Sequence, residues 1–461
     1  MSESVERTKQ DWLLLVGLFC FFFSGAAGLI YQVVWTRMLT QIFGNTTYAI
    51  ATVLSAFMAG LAIGSYWFGK IADRGKNDFL LYGLLEAGVG VYGFLVPWLF
   101  AGAQKVYGPI FGLNQTYPFL FNLVLFFLSF VLLVLPTLLM GATLPVLSRF
   151  FVRSFADFGR RIGDLYATNT LGAVIGCAGA GFYLIPTLGM RTTVFVAAGA
   201  NMIIALVILA VDRLRDRAPL EFVEAPAVLE ENARAERGSS SMLAWVLLTS
   251  FALSGFASLV YENAWTRSLT LVIGSSIYSF STMLVTFLVG LALGGFIYAR
   301  FLGEREARLS TFGVIELWVG LSALATIPLF EKLPLIFVRL LHGFGDTFTV
   351  FLCLQVFLSA LVMFLPTVLL GMTFPLVARL FTQSLYRVGS GVGSSYAANT
   401  VGAVLGAFAG GFILIPNLGV QNTIIFAVVM NLLIGSWLLL CDARLSGWLR
   451  YASGLAVLAL A

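Results

Sequence analysis

Few side chains in this sequence can do chemistry, and those that can recur in pairs. Glu86 and Glu316 each lie about seven residues inside an apolar run, roughly 10 Å deep at ~1.5 Å per helical residue. An ionisable group at that depth is costly unless paired or hydrated, which makes it a functional candidate. Lys70, Arg149, Arg300 and Arg379 fall at a matching depth. Their placing predicts ion pairs of Glu86 with Lys70 or Arg149, and of Glu316 with Arg300 or Arg379. Such pairs would be static charge clamps or a gate. Tyr31, Gln32, Trp35 and Arg37 recur as Tyr261, Glu262, Trp265 and Arg267. A Tyr and a Trp one turn apart near a helix end suit an interfacial belt, and an Arg just beyond can snorkel. Gln32 and Glu262 lie inside the run and escape that account. If the chain moves cations or protons, Glu262 is the first candidate carrier, with Gln32, Tyr31 and Tyr261 as candidate substrate contacts. Asn169 and Asn399 either hydrogen-bond a solute or bridge helices, and bridging is the simpler reading.

Other chemistries find no residues. Cys20, Cys177, Cys353 and Cys441 all lie in apolar runs, without the spacings that clip zinc or build a disulfide framework. They read as small packing residues. The single histidine, His342, reads as a loop residue. Lacking a nucleophile–base pair, a metal cluster or a nucleotide loop, the chain is expected to have no catalytic residue, metal or cofactor of its own. Its net charge of +5 comes with no basic tract interleaved with aromatics, so nucleic acid is not an expected partner.

The elements that must position these residues are membrane spans. The chain is 59% hydrophobic and 11% charged, against roughly 25% charged in a soluble domain. Its charges are confined to short clusters between apolar runs, many of which reach the ~20 residues needed to cross a hydrocarbon core. Runs of that length must close their backbone hydrogen bonds internally and so read as helices in contact with a lipid bilayer. The first run, from Trp12 to about Trp35, is too long for the core of a signal peptide and has a partner deep in the chain.

That partner reveals a duplication. SGAAGLIYQVVWTR at 24–37 matches SGFASLVYENAWTR at 254–267, an offset of 230 (254 − 24) that holds through both halves. PTLLMGATLPVLSR at 136–149 meets PTVLLGMTFPLVAR at 366–379, and YATNTLGAVIG at 166–176 meets YAANTVGAVLG at 396–406. Asn201 meets Asn431. The sequence predicts helices at 12–35, 47–69, 79–102, 119–148, 164–188 and 191–211, then at 242–265, 277–300, 309–330, 349–378, 393–416 and 420–441. Six spans per copy is an even number, so both copies enter from the same side as parallel repeats. The expected organisation is a first repeat at 12–211, a polar linker at 212–241, a second repeat at 242–441 and a final segment at 442–461. The apolar run after Arg450 is too short to span and suggests the start of a thirteenth helix in a longer protein. Glycine pairs spaced by four (60/64, 172/176, 290/294, 402/406) put a flat face on one side of a helix. They serve either static packing or a sliding contact between the halves. Function is expected where the copies differ, at Gln32 against Glu262 and at Asp164 against Ser394.

Only six of the 27 basic residues fall on one side of this arrangement: Arg37, Lys105, Arg191, Arg267, Lys332 and Arg339. The rest, among them Lys70, Arg74, Arg149 and Arg153, mark the other side as cytoplasmic, with the N-terminus on it.

SGAAGLIYQVVWTRML, AFMAGLAIGSYWFGKIADR, PTLLMGATLPVLSR and LYATNTLGAVIG together resemble the membrane portion of the bacterial spermidine-synthase-like membrane proteins, also described as fused major-facilitator/spermidine-synthase proteins. The resemblance covers nearly all of both halves. It implies a major-facilitator-like, all-α polytopic fold of 12 transmembrane helices in a bacterial inner membrane, and a following aminopropyltransferase-like domain that nothing in these 461 residues matches. The family usually has Glu at the position of Gln32, so this chain keeps one acid where the pattern has two. Gly69, Asp73, Arg74, Gly75 and Lys76 are similar to the loop signature between the second and third helices of major facilitators, one residue short, and Gly303 replaces Asp73 in the second copy. Two functions are therefore expected. One is a transporter-like protein moving a small polar or cationic solute, such as a polyamine, by alternating access. The other is a non-transporting anchor or complex subunit, the membrane part of a longer protein with a fused soluble domain or a protein partner.

Overall fold

The computed structural model describes residues 2–43, 47–75, 77–110, 112, 116–214, 237–274, 276–344, 347–382 and 384–445. Most of the linker expected at 212–241 and of the segment expected at 442–461 lies outside the described residues. The first half consists of α1 (Ser2–Phe43), α2 (Thr47–Arg74), α3 (Asp78–Ile110), α4 (Pro118–Phe151), α5 (Phe158–Ala178, extended by a π-helical turn, Gly179–Leu184) and α6 (Ile185–Leu214). The second half consists of α7 (Arg237–Ile273), α8 (Ile277–Ile297, with a π-helical turn, Tyr298–Leu302), α9 (Leu309–Phe344), α10 (Phe348–Phe381), α11 (Val388–Ala409, with a π-helical turn, Gly410–Leu414) and α12 (Ile415–Cys441). No strand occurs among the described residues.

Among the described residues, ten helical runs are long and apolar enough to cross a membrane. Two of them, Phe158–Leu214 and Leu385–Cys441, are 57 residues long. A straight rod of that length would reach on the order of 85 Å, far more than one crossing. Each is broken by a glycine at positive φ, Gly189 (φ 75°) and Gly419 (φ 76°). Only glycine takes that backbone geometry at little cost. The chain turns there, and α5 and α6 both pack back on α1, as α11 and α12 do on α7. Each run therefore supplies two spans, and the total among the described residues is twelve.

Several helices outrun their expected ends. The run expected at 79–102 is Asp78–Ile110, and the one expected at 309–330 continues to Phe344 through Pro328 and Pro334. His342 therefore sits in the last turn of α9, not in a loop. Prolines also lie inside α4 (Pro136, Pro145) and α10 (Pro366, Pro375). Pro136 has no N–H to give to the carbonyl of Leu132 one turn back. The Tyr92 hydroxyl of α3 donates to that carbonyl instead, at 2.5 Å. A neighbouring helix thus satisfies the backbone group that proline leaves open in an apolar setting.

Within the first half, α2 and α3 pack on α4, α6 on α3, and α5 and α6 on α1; the second half repeats these pairings. The halves meet along α2 with α11 and α5 with α8. Outward faces carry exposed apolar side chains such as Val131, Leu135, Ile203, Leu433 and Trp437, as contact with lipid tails requires.

The spaced glycine pairs do not lie between the halves. A Cβ on Gly60 or Gly64 would meet Thr137 or Leu138 of α4, and one on Gly172 or Gly176 would meet Phe22 or Ala26 of α1. Gly290, Gly294, Gly402 and Gly406 do the same against α10 and α7. They are static packing inside each half. Other glycines mediate the inter-half contact: Gly69 against Gly389 and Gly393, and Gly159 and Gly163 against Gly303 and Ala299.

Candidate functional site

Where the halves face each other lies a partly open cavity of about 270 Å³. Its wall comes from α1, α2, α4 and α5 on one side and α7, α8, α10 and α11 on the other. Its lining mixes aromatic rings, among them Phe57, Tyr166, Phe287, Phe374 and Tyr396, with leucine and methionine side chains and with hydroxyls such as Ser24, Thr170, Ser254 and Thr400. Gln32 and Glu262 both face the cavity, at equivalent positions of α1 and α7. Glu262 is half-buried and has no hydrogen-bond or ion-pair partner among the described residues. Asn169 and Asn399 also line the wall, but their amides donate across to the Phe21 and Phe251 carbonyls at 3.0 and 3.1 Å. They bridge α5 to α1 and α11 to α7.

Tyr31 and Tyr261, expected beside the substrate or in an interfacial belt, are in neither place. Both are fully buried inside their own halves, stacked on Trp35 and Trp265 with ring centroids 4.7 and 4.9 Å apart. Tyr31 points at Gly93 of α3, away from the cavity. The ring fills a gap left by glycine on the neighbouring helix, a packing demand that a one-dimensional reading of aromatic spacing does not reveal.

The expected charge clamps are also replaced by other pairings. Glu86 is 1% exposed and Glu316 is fully buried. The Ser24 hydroxyl donates to Glu86 at 2.5 Å, and the Asn201 amide lies 2.6 Å from its other oxygen. Ser254 and Asn431 hold Glu316 in the same way, at 2.6 and 2.5 Å. Neither glutamate has an ion pair among the described residues. The bases go elsewhere. Exposed Lys70 lies 3.7 Å over the Tyr66 ring, and Arg300 stacks on Phe296. Arg149 pairs with Asp78 at 3.2 Å and Asp73 at 3.8 Å while donating to the Ala72 and Gly75 carbonyls. Arg379 donates to the Gly303 carbonyl. The glutamates face α1 and α6 (α7 and α12), not the helix ends that carry the bases. Ser24, Ser254, Asn201 and Asn431 carry a visible signal, since each is a polar residue kept at the same register in both apolar repeats.

At the basic end of the bundle, Asp73 accepts the backbone N–H groups of Gly389 at 2.9 Å and Ser390 at 2.8 Å. An end of α2 in one half thereby caps the start of α11 in the other. The second copy has Gly303 at this position, and there Gly303 lies against the start of α5 while exposed Glu304 pairs with Arg160 at 3.1 Å. At the opposite end Phe182 stacks on Tyr278 at 6.0 Å, and the Ser55 hydroxyl reaches the Val404 carbonyl. Contacts between the halves thus flank the cavity on both sides. Asp164, which differs from Ser394, lies within 4.0 Å of Arg160. Cys20 and Cys177 are buried, whereas Cys353 is exposed on α10.

No family model matches the chain. Over 194 residues, 42% of its length, it is 27% identical to Polyamine aminopropyltransferase 2 of Streptomyces coelicolor, and it spans only 33% of that protein. Among solved structures, the human organic anion transporter MFSD10 (TETRAN) matches with a TM-score of 0.58 at 13% identity, covering 93% of this chain and 99% of that one. The fucose:proton symporter FucP of E. coli, solved as a point variant, matches with a TM-score of 0.54 at 15% identity, over 93% and 98%. The fold is that of the major facilitator transporters.

Proposed function

We propose that this chain is a transporter-like membrane protein that moves a small organic cation by alternating access, with Glu262 as the cation-binding group. The observation that carries this reading is a carboxylate without a partner in the central cavity between two repeated halves. A lone acid in a cavity whose wall includes aromatic rings is costly by itself and becomes favourable when a cation fills the space, through charge pairing and cation–π contact. Transporters built from repeats place their substrate near mid-membrane at the repeat interface. The basic end is assigned to the cytoplasm, with the membrane a bacterial inner membrane. Polyamines are the first cations to test, because the aminopropyltransferase relative is named for them. Vesicles containing the purified chain should accumulate labelled polyamines or other organic amines, and Glu262→Gln should reduce uptake. Unchanged uptake in that variant removes Glu262 from the mechanism.

The same relative favours a second reading, in which these helices anchor or serve an aminopropyltransferase-like domain of a longer protein. The intact mass of the protein from its native membrane tests this. A mass near 50.0 kDa, that of these 461 residues, together with no co-purifying partner, would reject it.

A further inference from the structure

We propose that Glu86 and Glu316 are held as neutral carboxylic acids, so that each half contains one buried proton-binding site formed by helices 1, 3 and 6 of that half. Three observations converge. Both carboxyls are essentially without exposure, enclosed by the neighbouring helices about two turns from the start of their own. Every hydrogen-bonding partner found for them is uncharged, with a serine and an asparagine in each case. An ionised carboxylate deprived of water and of a counter-charge relieves the cost by taking up a proton.

The asparagines supply the third observation. The Asn–Glu separations of 2.6 and 2.5 Å are short for N–H···O and ordinary for O–H···O. Amide oxygen and nitrogen are interchangeable assignments. Turning each amide over places Oδ1 against the carboxyl, where it accepts the Glu O–H. The proton then sits on Glu Oε2, and Ser Oγ–H still donates to Oε1. Two copies of the arrangement, 230 residues apart, argue against an accident of one site.

The titratable groups facing Glu86 are Cys20 and Tyr31 of α1 and Tyr82 of α3 itself; the one facing Glu316 is Tyr261 of α7. All are uncharged when protonated, and no cation from the neighbouring helices joins them among the described residues. Ser24 and Ser254 also line the central cavity, so each carboxyl is one hydroxyl removed from it. This inference stands whether or not the cavity carries a solute.

Infrared spectroscopy of the purified full chain, carrying Glu262→Gln to silence the cavity acid, tests it directly. At about neutral pH, above the ordinary carboxyl range, the protonated-carboxyl band should be present. It should lose one share in Glu86→Gln, an equal share in Glu316→Gln, and both in the double variant. The amides keep the shape of a neutral carboxyl, so melting temperatures should stay near the parent's. Amide variants with an unchanged band, or a parent whose band has vanished by about pH 6, would overturn the proposal. If an amide variant does not fold, the pH titration of the parent band decides alone.

Discussion

Gln32 and Glu262 occupy one position of the repeat, seen twice at an offset of 230, and both face the same cavity, one as an amide and the other as an acid. The two halves therefore present walls of similar shape and unequal charge. Exchanging the pair tests whether charge or side matters. Glu262→Gln should cut organic-cation uptake by at least about tenfold, the equivalent of ~1.4 kcal/mol. Gln32→Glu in that background should restore part of it, because the new carboxylate lines the same space. Gln32→Glu alone should shift preference from singly to doubly charged amines, measured by competition with the labelled substrate.

Asp73 reaches from one half to cap the first helical turn of α11 in the other. The proposed alternating access requires this contact to break when the cavity opens toward the basic end. Asp73→Asn keeps one acceptor oxygen but loses the charge and half of the double acceptance, a change on the scale of a helix cap, about 1 kcal/mol. The expected outcome is faster labelling of a cysteine placed at cavity residue Thr143 by a reagent added from the basic side, in a background lacking the four native cysteines. Labelling at the wild-type rate would show that Asp73 does not restrain opening.

Much of this architecture is legible in the residues. The offset of 230 and the apolar runs imply twelve spans, and Gly189 and Gly419 stand in the gaps left between expected helices. Glu262 stands out because its surroundings are too apolar for an unpaired acid. Direction around each helix is what the residues do not reveal. Tyr31 sits one residue from Gln32, yet about 100° of helical rotation sends the first into the core and the second into the cavity. Arg149 and Glu86 are expected at one depth, but Arg149 lies beside Asp78 at the start of α3, about two helical turns short of Glu86, so serine and asparagine, not arginine, complete the site. The glycine pairs show the same limit. Their spacing announces a close helix contact without saying with which helix.

The glycine contacts make a sharp contrast testable. A side chain on Gly172 would drive into the Phe22 carbonyl, and one on Gly402 into the Ala252 carbonyl. Backbone cannot yield as a side chain can, so α5 and α11 would have to shift. Gly172→Val and Gly402→Val should each destabilise by about 1–3 kcal/mol, read as a lower melting temperature and a smaller monodisperse peak in detergent. Gly28 lines the cavity and has open space beside it. Gly28→Ala should melt like the parent, and a matching loss there would contradict the packing described.

Asp442, just after α12, accepts the Ser310 backbone N–H at 2.9 Å and that of Arg444 at 3.0 Å. It caps the start of α9 from a distant part of the chain, and its repeat partner Asp212 holds Asn77 ahead of α3 in a related way. Burial pushes the Asp442 carboxyl upward, but the hydrogen bonds from Arg444 and Ser310 outweigh it and hold the group below its ordinary value. A carboxyl depressed in the folded state binds fewer protons there than in the unfolded chain. Its stabilisation is complete above the unfolded value, about 3.9, and is lost as pH falls through the folded one. Asp442→Ala should therefore lower stability by about 1 kcal/mol at neutral pH, measured as a drop in melting temperature. The gap between variant and parent should close on acidification below about pH 4. A gap that persists undiminished at low pH would mean that Asp442 contributes through packing, not through its charge.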